Sequence, residues 1–291
     1  MKNSRFDEIG HSIDALLEFV VRHPRLFVLT GAGVSTDCGI PDYRDARGDW
    51  KRPPPVSHQA FMGSHGVRQR YWARSLVGFR ALAAAHPGQA HAALAALERQ
   101  SRITSLVTQN VDGLHQKAGS RRVIDLHGQA DMVKCMSCGV TLMRHALHDE
   151  LARRNAEWLS LSAEVGPDGD ADLDGYDFST FEVPSCHRCQ TGILKPDVVF
   201  FGDNVPRPRV EQAFTALEEA SGMLVVGSSL MVYSGFRFAR QAAKDGKPIA
   251  CVNLGATRAD DLFDLKITAS IGPTLTAMVD ELESELELLQ R

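Results

Sequence analysis

Long apolar runs are missing from this chain of 291 residues. No window carries the roughly 18 apolar residues that span a bilayer. A polybasic stretch is missing too. Lysine and arginine number 32 against 36 aspartate and glutamate, a formal charge of −4, which argues against nucleic acid or an anionic membrane surface as partner. There is no internal repeat and no low-complexity tract, so neither a solenoid nor a disordered polar tail is expected. Cysteine is scarce, six residues in all. The first ten residues are polar and the apolar stretch after them is amphipathic, so no secretory signal is read there and the expected compartment is the reducing cytoplasm.

Four of those cysteines fall in two pairs, Cys135-Met-Ser-Cys138 and Cys186-His-Arg-Cys189. Each CxxC brings two thiolates onto one tight turn, and two such turns close a tetrahedral Zn²⁺ site with no open position. The expected metal is therefore one structural zinc, and the chemistry must lie elsewhere. His187, between two ligands, is expected to face solvent. Cys38 and Cys251 are read as small packed residues.

Phe6, Ile9, Ile13, Leu16, Leu17 and Val20 recur at helical spacing, and Pro24 stops that helix. Short apolar runs follow at 26–30, 103–108, 123–126, 198–201, 223–226 and 249–254, with helical patterns at 90–99, 210–220 and 236–244 between them. Strands alternating with helices predict an α/β fold, a Rossmann-like parallel sheet with helices on both faces. Two segments break the rhythm. One is rich in Arg, Pro and His and holds Lys51-Arg-Pro-Pro-Pro55. The other holds the zinc ligands and a long insert ending in Gly166-Pro-Asp-Gly-Asp170. The expected division is a nucleotide-binding domain over 1–44, 97–131 and 194–291, with a helical module (45–96) and a zinc module (132–193) forming a smaller domain.

Gly31-Ala-Gly33-Val-Ser35 follows a strand and precedes a helical stretch. It is either a tight turn or a place where backbone approaches a pyrophosphate. The third glycine and the later acid of the ordinary dinucleotide fingerprint are absent, which disfavours a hydride-transferring dehydrogenase. In Gly39-Ile-Pro-Asp-Tyr-Arg44, Asp42 and Arg44 are a loop salt bridge or phosphate-side charges. Thr108-Gln-Asn-Val-Asp-Gly-Leu-His115 ends a strand, and Gln109, Asn110 and Asp112 either cap it or hold a carboxamide. His127-Gly128 ends another strand, and His127 is the best-placed base of the eleven histidines, with His115 second. Gly227-Ser-Ser-Leu230 and Asn253-Leu-Gly255 close two more strands. Their recurrence suggests one ligand crevice shared by several strand ends.

In this order, and together with Lys195-Pro-Asp-Val-Val-Phe-Phe-Gly202, these segments are similar to those of the sirtuin family, the NAD-dependent protein-lysine deacylases. Arg70-Tyr-Trp-Ala-Arg74, Lys117-Ala-Gly-Ser-Arg121, Pro167-Asp-Gly-Asp170 and Val232-Tyr-Ser-Gly235 resemble the class II subgroup. The resemblance implies NAD along the carboxyl edge of the sheet. Gly31, Ala32, Gly33, Ser35, Gly227, Ser228 and Ser229 would then face its pyrophosphate. Asn253, Leu254, Gly255 and Ile271 would face the adenosine end. Gln109, Asn110, Val111 and Asp112 would line the ribose and nicotinamide pocket, under a loop carrying Asp42, Tyr43 and Arg44. It further implies that the acyl-lysine oxygen attacks C1′ of the ribose and nicotinamide leaves. His127 acts as base towards a ribose hydroxyl, with Asn110 beside it, and lysine and O-acyl-ADP-ribose are released. The acylated peptide would add as a strand along Val198, Phe200, Gly202 and Val232. Tyr71 and Arg74 resemble a pair that reads an acyl carboxylate, or else cover the helical module. Two rival readings remain at this point: mono-ADP-ribosyl transfer from the same NAD site, and a non-enzymatic zinc-ribbon module. The residues say nothing of oligomeric state.

Overall fold

The computed structural model describes residues 2–164, 166 and 169–289, and the side chains of 10–288 among them. Phe6 and Ile9 of the opening helical stripe, and Pro167 and Asp168 of the insert, therefore lie outside the described side chains.

The chain opens with α1 (Lys2–Arg22) and turns at Pro24 into β1 (Leu26–Thr30). Then come α2 (His58–Gly63), α3 (His65–Ala84), α4 (Gln89–Arg99), β2 (Ile103–Thr108), α5 (Leu114–Lys117) and β3 (Val123–Asp125). The middle of the chain forms β4 (Gly128–Cys135), β5 (Thr141–Met143), α6 (Arg144–Arg154) and β6 (Leu194–Val198). It closes with α7 (Arg207–Glu219), β7 (Gly222–Val226), α8 (Tyr233–Lys244), β8 (Ile249–Val252), β9 (Leu265–Ile267) and α9 (Ile271–Leu289).

Six strands form one parallel sheet in the order β3-β2-β1-β7-β8-β9. All five residues of β1 are buried. Its side chains alternate between two cores, as strand geometry requires. Leu26 and Val28 join Leu16, Leu94, Leu97 and Leu275 on one face. Phe27 and Leu29 join Leu217 and Phe238 on the other. Strand order reverses between β1 and β7, which opens a crevice at their carboxyl ends.

The smaller body is an antiparallel sheet, β5-β4-β6, packed with α2, α3 and α6. Its core gathers Phe61, Trp72, Leu76, Val133, Leu151, Trp158 and Phe181. The insert loop lies hard against α3. A Cβ on Gly78 would sit 2.2 Å from the carbonyl oxygen of Gly169 and 2.6 Å from the nitrogen of Ala171.

Four expectations change. The run at 198–201 is not a strand of the large sheet, because β6 ends at Val198 and pairs antiparallel with β4. Gly128, at φ +89°, turns the chain out of the large sheet, so β4 and β6 belong to the smaller body and the boundaries at 131 and 194 cut through it. Helix α4 packs on α9 and shares its apolar core, so 89–96 side with the large body. The helix expected after Gly33 is two 3-10 turns, Ala32–Val34 and Thr36–Cys38, stopped by Gly39 at φ +81° and followed by Pro41, which has no N–H to donate.

Candidate active site

A cavity of about 710 Å³ lies between the two bodies, along the carboxyl ends of β1, β2, β7 and β8. Each residue expected at the cofactor lines it: the 31–35 turn, the 42–44 loop, 109–112, 227–229, 253–255 and Ile271. The glycines also join two strand ends. Gly31 N–H donates to Val226 O (3.2 Å) and Gly33 N–H to Gly227 O (2.9 Å). A Cβ on Gly33 would lie 2.9 Å from Gly227 Cα, and Gly227 itself holds φ +60°. Their lack of side chains lets two strand ends touch backbone to backbone, and the joined lip faces the cavity.

The polar groups behind that lip hold one another. Gln109 Nε2 donates to Ser228 Oγ at 2.7 Å. Ser35 Oγ donates to Asp112 Oδ2 at 2.7 Å and accepts from Asn110 Nδ2 at 3.0 Å. His91 Nδ1 accepts from Gly88 N–H at 3.3 Å, which leaves the proton on Nε2, 3.5 Å from Ser35 Oγ. Sequence reading missed His91, since a histidine among helical alanines carries no mark of its own. His115 is not exposed to the cavity as a base. It is 1 % exposed and bonded to Thr30 Oγ1 at 2.9 Å. Burial, then its neighbour His91, pushes it down to about 3. Asp42 and Arg44 do not pair with each other. Asp42 binds Lys51, and the Arg44 guanidinium sits 4.0 Å over the ring of Trp50 while donating to Gly48 O at 2.7 Å.

His127 stands on the cavity wall where β3 hands over to β4. Its Nδ1 lies 2.9 Å from the backbone oxygen of Gln109, which can only accept, so Nδ1 carries the proton. Nε2 is then the unprotonated nitrogen, accepting from Ser234 Oγ at 2.7 Å. Burial, reinforced by Arg237 and Arg209, pushes the ring down to about 4, although the Gln109 bond opposes this. At neutral pH the group is an uncharged imidazole with its lone pair fixed on Nε2.

The four cysteines of the two pairs converge, their sulfurs all within 4.8 Å of one another. Cys135 and Cys189 are 3.7 Å apart, and Cys138 and Cys186 3.8 Å. Zinc bound at about 2.3 Å to four tetrahedral sulfurs needs S···S edges of about 3.8 Å, so the donor set fits Zn²⁺. Both turns pack around Gly192, where a Cβ would lie 2.3 Å from Cys135 Sγ. His187 is largely exposed, as expected, but Nε2 is tethered to Glu150 at 2.6 Å. Cys251 is fully buried in an apolar core and Cys38 partly buried.

Val198, Phe200, Gly202, Val232 and Tyr71 line the cavity. Arg74 does not. Its Nε donates to Ala171 O at 2.8 Å, fixing the insert loop to α3. The arginine that reaches the cavity beside Tyr71 is Arg144, which no sequence pattern singled out.

The family model for the Sir2 family matches residues 31–234. The chain is 61% identical over 253 residues to "NAD-dependent protein deacetylase 2" of Bradyrhizobium diazoefficiens, covering 87% of this chain and 92% of that protein. It is 55% identical over 267 residues to "NAD-dependent protein deacetylase" of Bordetella bronchiseptica, covering 92% and 97%. Among solved structures, one described as "Sir2-p53 peptide-NAD+" superposes with TM-score 0.72 at 29% identity, covering 94% of this chain and 98% of that one. A Sir2 homolog–NAD complex superposes with TM-score 0.73 at 28% identity, covering 94% of both chains. With a family model matching well over half its length and relatives above half identity along nearly all of it, this chain belongs to the Sir2 family, the sirtuins.

Proposed function

We propose that this chain is an NAD-dependent protein-lysine deacylase that removes acetyl groups, with one structural zinc. The observation that carries the reading is His127: an uncharged imidazole, its lone pair set on Nε2, on the wall of a cavity long enough to join Asn253 and Ile271 at one end to the Tyr71 wall at the other.

NAD is a co-substrate here and is consumed. The backbone lip at Gly31–Gly33–Gly227 and the hydroxyls of Ser228 and Ser229 suit its pyrophosphate, and Asn253, Leu254 and Gly255 suit the adenosine. Asn110 and Asp112, locked through Ser35, present an amide donor and a carboxylate acceptor without reorganising. That pairing suits a nicotinamide amide or ribose hydroxyls. The substrate lysine's acyl oxygen displaces nicotinamide at C1′. His127 Nε2 then takes a proton from a ribose hydroxyl so that an oxygen can close on the former acyl carbon. Ser234 must release Nε2 first. Water completes the release of lysine and the acylated ADP-ribose. The cysteine cluster takes no part in these steps. It fixes the smaller body, whose β4 and β6 carry one wall of the cavity. The relatives named as NAD-dependent protein deacetylases favour deacylation over ADP-ribosyl transfer.

No described helix is long and apolar enough to cross a membrane. We place the enzyme in the cytoplasm, where zinc thiolates stay reduced. The test is nicotinamide release from NAD with an acetyl-lysine peptide, alongside intact mass of the peptide. A loss of about 42 Da, an acetyl group exchanged for hydrogen, is expected, and its disappearance in His127→Ala with NAD binding retained. A gain in peptide mass, or full turnover in His127→Ala, overturns the reading.

A further inference from the structure

The cavity rim at the start of α8 carries positive charge that the chain itself leaves unanswered. Tyr233 and Arg237 line the cavity, one helical turn apart. Arg237 is half-buried, and its Nε donates to Ser234 O at 3.1 Å. Arg240 is exposed a turn further along, and its Nη2 donates to Tyr233 Oη at 2.6 Å. The guanidinium carbons lie 5.8 Å (Arg237) and 5.3 Å (Arg240) from the centre of the Tyr233 ring. Among the described residues, no carboxylate lies within ion-pair distance of either arginine.

The β6 side is different. Asp197 pairs with Arg209 at 2.8 Å, and Asp203 lies 3.2 Å from His58. The carboxylates there have partners of their own, whereas the cations on α8 have none. Two arginines three residues apart on one helix repel each other, so the helix itself gains nothing from the pair. Tyr233 is 47 % exposed and Val232 beside it 36 %. A rigid, exposed tyrosine held between two arginine forks has the make-up of a binding hot spot. The complementary group is a carboxylate, which the fork geometry of arginine matches.

We propose that Arg237 and Arg240 select among protein substrates, favouring an acylated lysine with an aspartate or glutamate one to three residues away in the sequence. This rests on the deacylase reading, in which the peptide lies along Val232 and the acyl-lysine reaches His127. Ser234 Oγ is 2.7 Å from His127 Nε2, so the lysine passes close to Ser234. Along the helix axis Arg237 lies about 4.5 Å and Arg240 about 9 Å beyond that serine. An extended peptide rises about 3.3 Å per residue. The two forks therefore stand beside the first to third neighbours of the lysine, and Tyr233 holds both before the peptide arrives.

The experiment takes one acetyl-lysine peptide and replaces each of the three residues on either side of the lysine, singly, by Glu, Gln or Lys. Nicotinamide release is the readout. At one position or more, Glu should exceed Lys by about 10-fold in kcat/KM, with Gln between them and the difference carried by KM. The ratio should shrink at about 0.5 M salt. Arg240→Glu should cancel or invert it, and Arg237→Gln should reduce it. Each comparison is a ratio within one enzyme, so a change that Arg237→Gln makes to His127 cancels. Arg25→Glu makes the same charge change just before β1, at the sheet edge away from the cavity, and should leave the ratio alone. Equal turnover of Glu and Lys peptides at every position, or equal shifts from Arg240→Glu and Arg25→Glu, overturns the proposal. Should Arg237→Gln fail to fold, the exposed Arg240 decides alone. If no peptide of the series gives nicotinamide, the deacylase reading has failed instead, which uniform turnover across the series would not show.

Discussion

Two histidines are held neutral inside the fold, and acid should act on the protein through them. His115 drops from an ordinary value of 6.5 to about 3. His127 drops from 6.5 to about 4. Burial is the first cause for both, so the folded chain refuses protons that the unfolded chain takes up. The sign follows from linkage. Above pH 6.5 neither state binds these protons and stability is unaffected. As pH falls below 6.5 the unfolded state gains protons, and stability declines until the folded-state values near 3 and 4 are reached. One pKa unit corresponds to about 1.36 kcal/mol, so moving from pH 8 to pH 5 costs about 2 kcal/mol per histidine and about 4 kcal/mol for the pair. His91, also lowered by burial, adds in the same direction. Urea unfolding followed by tryptophan fluorescence at pH 8, 6.5 and 5 measures this. His115→Gln removes one titrating ring and keeps a hydrogen-bonding group beside Thr30. Its loss between pH 8 and 5 should be smaller than the parent's by about 2 kcal/mol. If parent and variant lose equal stability over that interval, His115 is not the neutral buried group described, and the reasoning fails.

Gly78→Ala should push the 169–171 backbone off α3, since the contacted atoms are main-chain and cannot yield as a side-chain tip would. A cost of about 1–3 kcal/mol is expected by thermal melting, and an unchanged melt would show the loop packs more loosely. Cys135→Ser opens the sulfur cluster. Metal analysis should find bound zinc lost and the melting temperature lowered, whereas a zinc-free variant with full activity would refute a structural metal. Ser234→Ala removes the hydrogen bond that favours the neutral form of His127. The acidic limb of kcat/KM against pH should move upward by about half a unit, and an unmoved limb would mean that the serine does not engage the imidazole in solution.

Much of the site was legible because strand ends carry their own marks. Apolar runs closed by glycine, serine or asparagine located β1, β2, β7 and β8, and those ends do meet at one cavity. The paired CxxC spacing brought the four sulfurs together in the same way, since each pair folds locally and only the meeting of the pairs is long-range. What stayed hidden depends on how elements face one another. Tyr71 and Arg74 sit on nearly one side of α3, but that helix is covered by the apolar core on one face and by the insert loop on another. Its rotation decides which residue reaches the cavity, and local periodicity does not report rotation when both faces are covered. Arg144 was invisible for the related reason that a cation at the start of a helix ordinarily faces water. Burying it required the rings of Trp72 and Phe79, which come from α3. The run at 198–201 misled because apolar residues leaving the end of a short antiparallel strand read like a buried parallel strand.

The pairing of Gly128 with Val198, and of Val199 N–H with His127 O at 2.8 Å, has a mechanical consequence. Of the four places where the chain passes between the bodies, the two at His127 and just past Val198 lie side by side. A hinge swings least at its pin. If the smaller body rocks as peptides enter and leave, the imidazole rides beside this paired seam and keeps its aim.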